Sequence, residues 1–470
     1  MKIRHKEIEI KKESPFAECK LDRVKYANVL TQIVNTYADG FVLAINNEWG
    51  TGKTTFVKMW QQALKNEGFQ TIYFNAWEND FDNNPIVALM SELKTLTNNK
   101  NNEVFKSIIE KGAILAKNVL PTLVKSVANK YIDFEMVNDA IENVTKGTTE
   151  ILEKEINEYI TKKKTVLEFK EFLEKYIKST ETEKPLIFII DELDRCRPDY
   201  AVEVLEQIKH FFSVSGIVYV LSIDKNHLAS SIKGYYGSEC INTDEYLRRF
   251  IDLEYSIPKP STKIFCEYLY NYYSFADFFS SDERKKYQVF QNDAEYLLKM
   301  SEILFNKSNS TLRQQEKMFA LTRLILSSFQ STKHTFSNLL FFLIFIKTMK
   351  NQVYKKIRDN GYSLQELCEV FDELMYSDSE NEYNNRELLY IESLLLYLYY
   401  KNQGCQNKEK LFDSDNNGKK ICLVKSKFDN ETEEQSLSSF MNYIYGQSTF
   451  HDLTLNYLLD KIDLIQYINK

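Results

Sequence analysis

The chain has 470 residues, 43% of them hydrophobic, enough material for two or three cores. A formal net charge of −7 provides no global attraction to nucleic acid or to anionic lipid. The seven cysteines (Cys19, Cys196, Cys240, Cys266, Cys368, Cys405 and Cys422) contain no CxxC pair, so neither a disulfide framework nor a zinc site is expected, and the reducing cytosol is the expected compartment.

Met1 to Glu13 is charged throughout and does not read as a signal peptide. From Leu21 to Tyr37, Val24, Ala27, Leu30, Ile33 and Val34 fall on one helical stripe. Phe41 to Ile45 is a short, wholly apolar run, the pattern of a strand buried on both faces. It leads into a tight loop, Asn46 to Gly52, after which Lys53, Thr54 and Thr55 open an amphipathic helix carrying Phe56, Val57 and Trp60. Strand, glycine-containing loop and helix are the context that GxxxxGK[ST] requires. Asn47, Glu48, Trp49, Gly50, Thr51, Gly52, Lys53, Thr54 and Thr55 are thus the expected phosphate-binding set. Loop amides and the positive helix end bind phosphate. Lys53 would reach the β/γ oxygens of ATP, and the Thr54 hydroxyl would ligate Mg²⁺. Asn47 replaces the first glycine of the pattern; it tolerates the left-handed region, so a working loop with a small strain cost is expected. Asp22 and Arg23 precede the loop where an element often cradles the base. Adenine contact and surface solvation are the two readings for them.

A second strand, Thr71 to Asn75, is followed by about 100 residues between Trp77 and Leu186, more than a crossover needs. A helical insertion over about 80–180 is expected. Its most apolar stretch, Gly112 to Val124, is broken by Lys117 and Pro121 and ends at Lys125, short of the ~20 apolar residues of a membrane span. Lys162, Lys163 and Lys164 form the clearest basic patch; without interleaved aromatics they read as a solvated helix face. Leu186 to Ile190 is an apolar strand whose end delivers Asp191 and Glu192. Asp191 would hold the Mg²⁺, and Glu192 would orient and deprotonate the attacking water, with Asp194 two residues on as a second candidate. The fourth strand, 217–223, ends at Asp224, which reads either as a sensor of the γ-phosphate or as a helix N-cap. Arg248 and Arg249 could supply positive charge to the transition state, in cis or to a neighbouring subunit; surface salt bridging is the other reading. The five histidines are scattered, and no catalytic duty is expected of them.

Ile190-Asp-Glu-Leu-Asp-Arg-Cys196 resembles the IDDLDRC signature of the KAP P-loop NTPases, and Glu48-Trp49-Gly50-Thr51-Gly52-Lys53-Thr54 resembles that family's WGxGK[ST]. Phe74-Asn75-Ala76-Trp77, Val202 to Leu205, Val220 to Asp224, and Tyr246 to Phe250 with Ile257-Pro258 are similar to further family segments. Leu321-Thr322-Arg323, Leu339 to Lys347 and Val353 to Ile357 resemble its helical portion. Asn47 and Glu192, usually Gly and Asp, are the departures. The resemblance implies a switch-like NTPase in which an inserted strand separates the acidic strand from the phosphate-loop strand. It also implies a bacterial role in exclusion of phage and plasmids. Many relatives carry membrane spans between the two motifs; here none is expected.

Residues 259–360 read as a helical lid. Leu339 to Ile346, only eight residues long, reads as a buried helix core. Arg323, within an apolar helix, is a candidate lid arginine that reaches the phosphates; a structural ion pair with a carboxylate is the alternative. Beyond 361, Ser377 to Asn385 is acidic and polar, Leu388 to Tyr400 an aromatic, Leu-rich helix, Lys408 to Lys420 a charged loop and Leu453 to Ile468 amphipathic. The expected fold is α/β: a P-loop NTPase core of mostly parallel sheet over residues 1–258, the helical lid, and a mostly helical region from 361 to 470. The expected function is an ATPase acting as a homo-oligomer, with a separate effector protein as a candidate partner. The alternatives are a scaffold with little turnover and, less favoured by the charge, a DNA-handling motor. No NKxD-type motif is apparent, so ATP is the default nucleotide.

Overall fold

A computed structural model describes residues 9–82, 84–97, 101–118, 147–179, 184–237, 241–376, 382–403, 409–414, 420–429, 436–447, 450 and 452–468. The chain divides into two compact units, one of Lys6–Lys259 and a second that includes Pro260–Lys470.

The first unit is built on a five-stranded parallel sheet: β1 (Val42–Asn46), β2 (Thr71–Asn75), β3 (Leu186–Asp191), β4 (Ile217–Ile223) and β5 (Leu253–Tyr255), in the order β2-β3-β4-β1-β5. Buried on both faces, these strands are nearly continuous apolar runs. Successive side chains point to opposite faces. Leu43, Ile45, Ile187, Ile189, Val218 and Val220 therefore feed one core with α1 (Val24–Thr36) and α2 (Lys53–Asn66). Ala44, Phe188, Ile190, Tyr219 and Leu221 feed the other. There they meet α3 (Ala76–Asn79), α4 (Pro85–Lys94), α5 (Asn102–Asn118), α6 (Gly147–Lys178), α7 (Pro198–Gln207) and α8 (Lys225–Tyr236). A short helix, α9 (Thr243–Leu247), leads into β5. This is the expected mostly parallel sheet flanked by helices, with β4 lying between the acidic strand and the phosphate-loop strand.

The strand-like segment that follows Arg248 and Arg249 in the sequence forms the edge strand β5, two of whose three residues are exposed, so it is not one of the buried apolar runs. Within the insertion, α5 and α6 pack together, with Lys111 paired to Glu168 at 2.6 Å. The apolar stretch beginning at Gly112 runs out of the described residues at 118, so Pro121 and Lys125 lie outside them. On α6, Lys163 and Lys164 are exposed and Lys164 lies 3.8 Å from Glu168. No helix among the described residues is long and apolar enough to cross a membrane.

The second unit is helical around α13 (Ser337–Met349), whose residues Ser337 to Ile346 are all buried, the Leu339 to Ile346 run among them. Around it lie α10 (Thr262–Tyr272), α11 (Asp293–Lys307), α12 (Leu312–Leu326), α14 (Asn351–Arg358), α15 (Leu364–Met375), α16 (Glu382–Gln403), α17 (Leu437–Gly446) and α18 (Asn456–Ile468). An antiparallel hairpin of β6 (Phe412–Ser414) and β7 (Lys420–Cys422) interrupts the charged stretch read as a loop. Lys408 and residues 415–419 of the charged stretch, and Ser377 to Glu380 with Asn381, lie outside the described residues, as do Cys240 and Cys405. Arg284, 1% exposed, is an ion-paired residue in this core. It pairs with Asp293, donates to the carbonyls of Ser331 and Lys333 at 3.0 Å, and covers the Phe290 ring at 4.2 Å.

Candidate nucleotide site

The parallel register aligns the strand ends: Asn75 stands beside Asp191, Asp191 beside Ser222, and Asn46 beside Ile223. The phosphate loop and the acidic turn therefore emerge on one edge, the carboxyl end where ligands bind in open α/β sheets. A cleft of about 140 Å³ there is lined by Glu48, Trp49, Gly50, Gly52, Lys53, Thr54, Asp191, Glu192, Asp194 and Arg195. Thr51 is buried with its hydroxyl on the Glu48 carbonyl at 2.8 Å, and Thr55 follows in the first turn of α2.

Gly50 and Gly52 take positive φ, 81° and 77°, where side chains are strained. At Gly52 a Cβ would also lie 3.1 Å from an Arg23 nitrogen. That contact explains Arg23. Its guanidinium, in a residue 5% exposed, donates to the carbonyls of Thr51 at 2.6 Å and Gly52 at 3.2 Å. The solvated reading of Arg23 does not hold: the side chain is buried, with both terminal nitrogens on the loop backbone and Nε without a partner. Burial lowers its proton affinity. Asp22, by contrast, is exposed and pairs with Lys25 at 2.9 Å.

Asn47 does not use the left-handed region; it is absent from the positive-φ residues. Its amide instead makes two bonds to Ile257, Nδ2 to the carbonyl at 2.7 Å and Oδ1 from the N–H at 2.9 Å. The expected strain is replaced by a clasp. Glu48 is exposed and pairs with Lys259 at 2.9 Å. The Lys53 ammonium is held by the carbonyls of Asn47 and Glu48, the latter at 3.4 Å. Burial lowers its proton affinity, opposed by Asp194, Asp224 and Asp191.

Asp191 is fully buried, accepting from the Tyr73 hydroxyl at 2.9 Å and from the Glu192 N–H at 3.0 Å. Glu192 adopts φ 61°. Its carboxylate is 2.8 Å from Arg195 and 3.4 Å from the Asn75 amide nitrogen. Burial raises the Glu192 carboxyl above its ordinary range; Arg195 opposes this. Asp194 is buried, lines the cleft, and accepts from the Trp49 indole N–H through Oδ2. Asp224 caps α8 through the amides of Asn226 and His227, at 3.1 and 3.4 Å, and its other oxygen accepts from Trp49 N–H at 3.2 Å. It is an N-cap that also anchors the loop.

Trp49 stacks on His227 with centroids 3.7 Å apart and planes 7° apart. Arg195 lies 5.8 Å from the Trp49 ring and 5.6 Å from that of Trp77. Tyr73, Asn75, Arg195 and His227 were given no role from sequence. Asn75 and Arg195 stood in recognised segments, but only strand register shows what they touch.

Arg249 is not part of this cleft. It is exposed beside Val42, Ile217 and Asp252, at the amino-terminal end of the sheet, a strand length of roughly 16 Å from the loop end. A cis contact with nucleotide is therefore excluded for it. Arg323 belongs to the second unit, where its Nε donates to the Ser274 carbonyl at 3.3 Å; no carboxylate pairs with it among the described residues.

A phosphate loop and an acidic strand end, converging at the edge of a parallel sheet with one strand between them, define a P-loop NTPase. A family model, the KAP family P-loop domain, matches residues 23–343, and the chain belongs to that family. No curated protein matches the sequence. Among solved structures, the Aeropyrum pernix ORC2 protein (ADPNP-ADP complexes) is similar at 14% identity, covering 95% of this chain and 94% of that one, with a TM-score of 0.32.

Proposed function

We propose that the protein binds ATP with Mg²⁺ and hydrolyses it. The observation that carries this is the lining of one cleft by Lys53, Thr54, Asp191 and Glu192. Lys53 leaves its carbonyl partners for the β/γ oxygens, and the loop amides take the remaining phosphate charge. The hard oxygens of Thr54 and Asp191 suit Mg²⁺, which when bound neutralises charge on the phosphates. Glu192 accepts a proton from water as its oxygen bonds to the γ-phosphorus. The bond to the bridging oxygen breaks and ADP departs with the electron pair. The raised proton affinity of Glu192 suits a base. Phosphate release tests this. Wild type should turn over ATP, Glu192→Gln should bind ATP with turnover reduced at least about 100-fold, and Lys53→Ala should lose binding. Equal ATP uptake by Lys53→Ala would overturn the reading.

A second reading, a nucleotide-dependent scaffold with little turnover, is favoured by the Arg195–Glu192 pair, which occupies the base. Tight ATP binding without phosphate release in wild type would decide for it. We further infer a homo-oligomer in which exposed Arg249 serves a neighbouring copy's phosphates. Sedimentation with and without ATP, and turnover that depends on protein concentration in wild type but not in Arg249→Ala, test that. The family resemblance supports a role in defence against phage or plasmids, tested by phage plating on cells carrying wild type or Lys53→Ala.

A further inference from the structure

Cys368 and Asp372 stand one helical turn apart on α15, and Glu392 approaches them from α16. The Cys368 sulfur and one carboxylate oxygen from each acid lie within 4.8 Å of one another, and all three residues are buried, at 0%, 2% and 0% exposure. The sulfur is 2.9 Å from Glu392 Oε1 and 3.1 Å from the Lys425 carbonyl oxygen. Ser426 Oγ is 2.5 Å from Glu392 Oε2. Asp372 accepts from the Lys427 amide through Oδ2 at 3.0 Å, but its Oδ1 has no hydrogen-bond partner. Neither carboxylate forms an ion pair with a lysine or arginine among the described residues; the Lys427 ammonium acts on Asp372 only from beyond that range.

Buried acids are costly unless they are neutralised, paired or bound to a cation. Keeping the thiol and Glu392 protonated satisfies those two groups through each other. It leaves the buried Asp372 Oδ1 without a partner, and that oxygen needs a donor or a cation. We infer that Cys368, Asp372 and Glu392 form a binding site for a transition-metal dication of the zinc class, with the Lys425 carbonyl as a fourth donor within reach. A thiolate among oxygens favours zinc over Mg²⁺ or Ca²⁺, which take oxygen ligands. A closed, buried donor set is that of a structural ion, not a catalytic one. Binding releases the Cys368 and Glu392 protons to solvent as the metal–sulfur and metal–oxygen bonds form. The ion would fasten α15, α16 and the segment after β7 together. A search for CxxC spacing misses such a site, because two ligands share one helix turn and the third comes from another helix.

The test uses the full chain, stripped with a chelator and titrated separately with Zn²⁺ and Co²⁺. Zinc should survive desalting in equimolar amount and raise Tm, and Co²⁺ should give a thiolate-to-metal charge-transfer band. Cys368→Ser should abolish the band, Glu392→Gln should lose the zinc, and Lys53→Ala should keep both. Wild type that retains no zinc and shows no cobalt–thiolate band overturns the inference, whether or not the variants fold. Undiminished zinc in folded Cys368→Ser and Glu392→Gln overturns it equally.

Discussion

The Arg195 guanidinium grips the Glu192 carboxylate at 2.8 Å from three residues along the same turn, while Glu192 itself sits at φ 61°. A non-glycine residue there costs on the order of 1–3 kcal/mol and persists only when its surroundings enforce it. Arg195 and Asn75 are the side chains that hold the carboxylate.

Arg195→Gln should therefore alter the pH profile of hydrolysis. Burial raises the Glu192 carboxyl and the Arg195 charge lowers it. Without that charge the base stays protonated to higher pH, so the acidic limb of kcat/KM moves upward. Arg195→Lys should restore part of the shift. A limb unmoved by either change would mean that another group titrates there.

Arg23→Ala should weaken the phosphate loop without touching any nucleotide-lining side chain. Hydrogen bonds from a charged donor contribute about 1.5–3 kcal/mol each, and two are lost. A drop of about 3 kcal/mol in the denaturant stability of the first unit, with weaker ATP binding in titration calorimetry, is the expected result.

Asn47→Gly restores the residue that the loop pattern prescribes and should nevertheless harm the protein. Glycine gains nothing, since the site does not need positive φ, and it forfeits both bonds to Ile257. Stability should fall by about 1–2 kcal/mol, read by urea unfolding; a gain would show the clasp to be dispensable.

In the second unit, Arg284→Ala leaves Asp293 buried and unpaired. Loss of one partner of a buried pair costs about 3–5 kcal/mol, enough to lower Tm sharply in calorimetry.

His334 supplies a pH signature in the same region. Burial, then the nearby Arg284 charge, lowers its pKa below the ordinary 6.5. Between that lowered value and 6.5 the unfolded chain holds more protons, so stability rises with pH through this window and declines on acidification. His334→Gln should flatten that part of the curve in chemical unfolding at stepped pH.

Much of the first unit was legible in sequence because parallel strands buried on both faces announce themselves as apolar runs, and each run here ends at its functional residue. What escaped was whatever depends on pairing across the chain. Arg23 looks like any surface arginine until α1 docks on the loop. Asn47 reads as a strained substitute for glycine until Ile257, 210 residues away, comes alongside. Asn75 acquires meaning only from its register with Asp191. β5 reads from sequence only as strand-like, because its three residues are too few and too exposed to show which neighbour they pair with. Arg249 was read by its charge, and only the sheet's direction shows it at the far end.

The strand order sets the room available for chemistry. With β4 between β1 and β3, the loop and the acidic turn start two strand spacings apart, roughly 10 Å. Neighbouring strands would halve that gap and press the carboxylates against the lysine. For the hydrolysis proposed above, the wider gap would leave room for a phosphoryl group with a water molecule behind it, and Asp224, at the tip of the dividing strand, holds the Trp49 N–H at 3.2 Å. On that proposal, reach as well as acidity would suit Glu192 to the water and Asp191 to the ion.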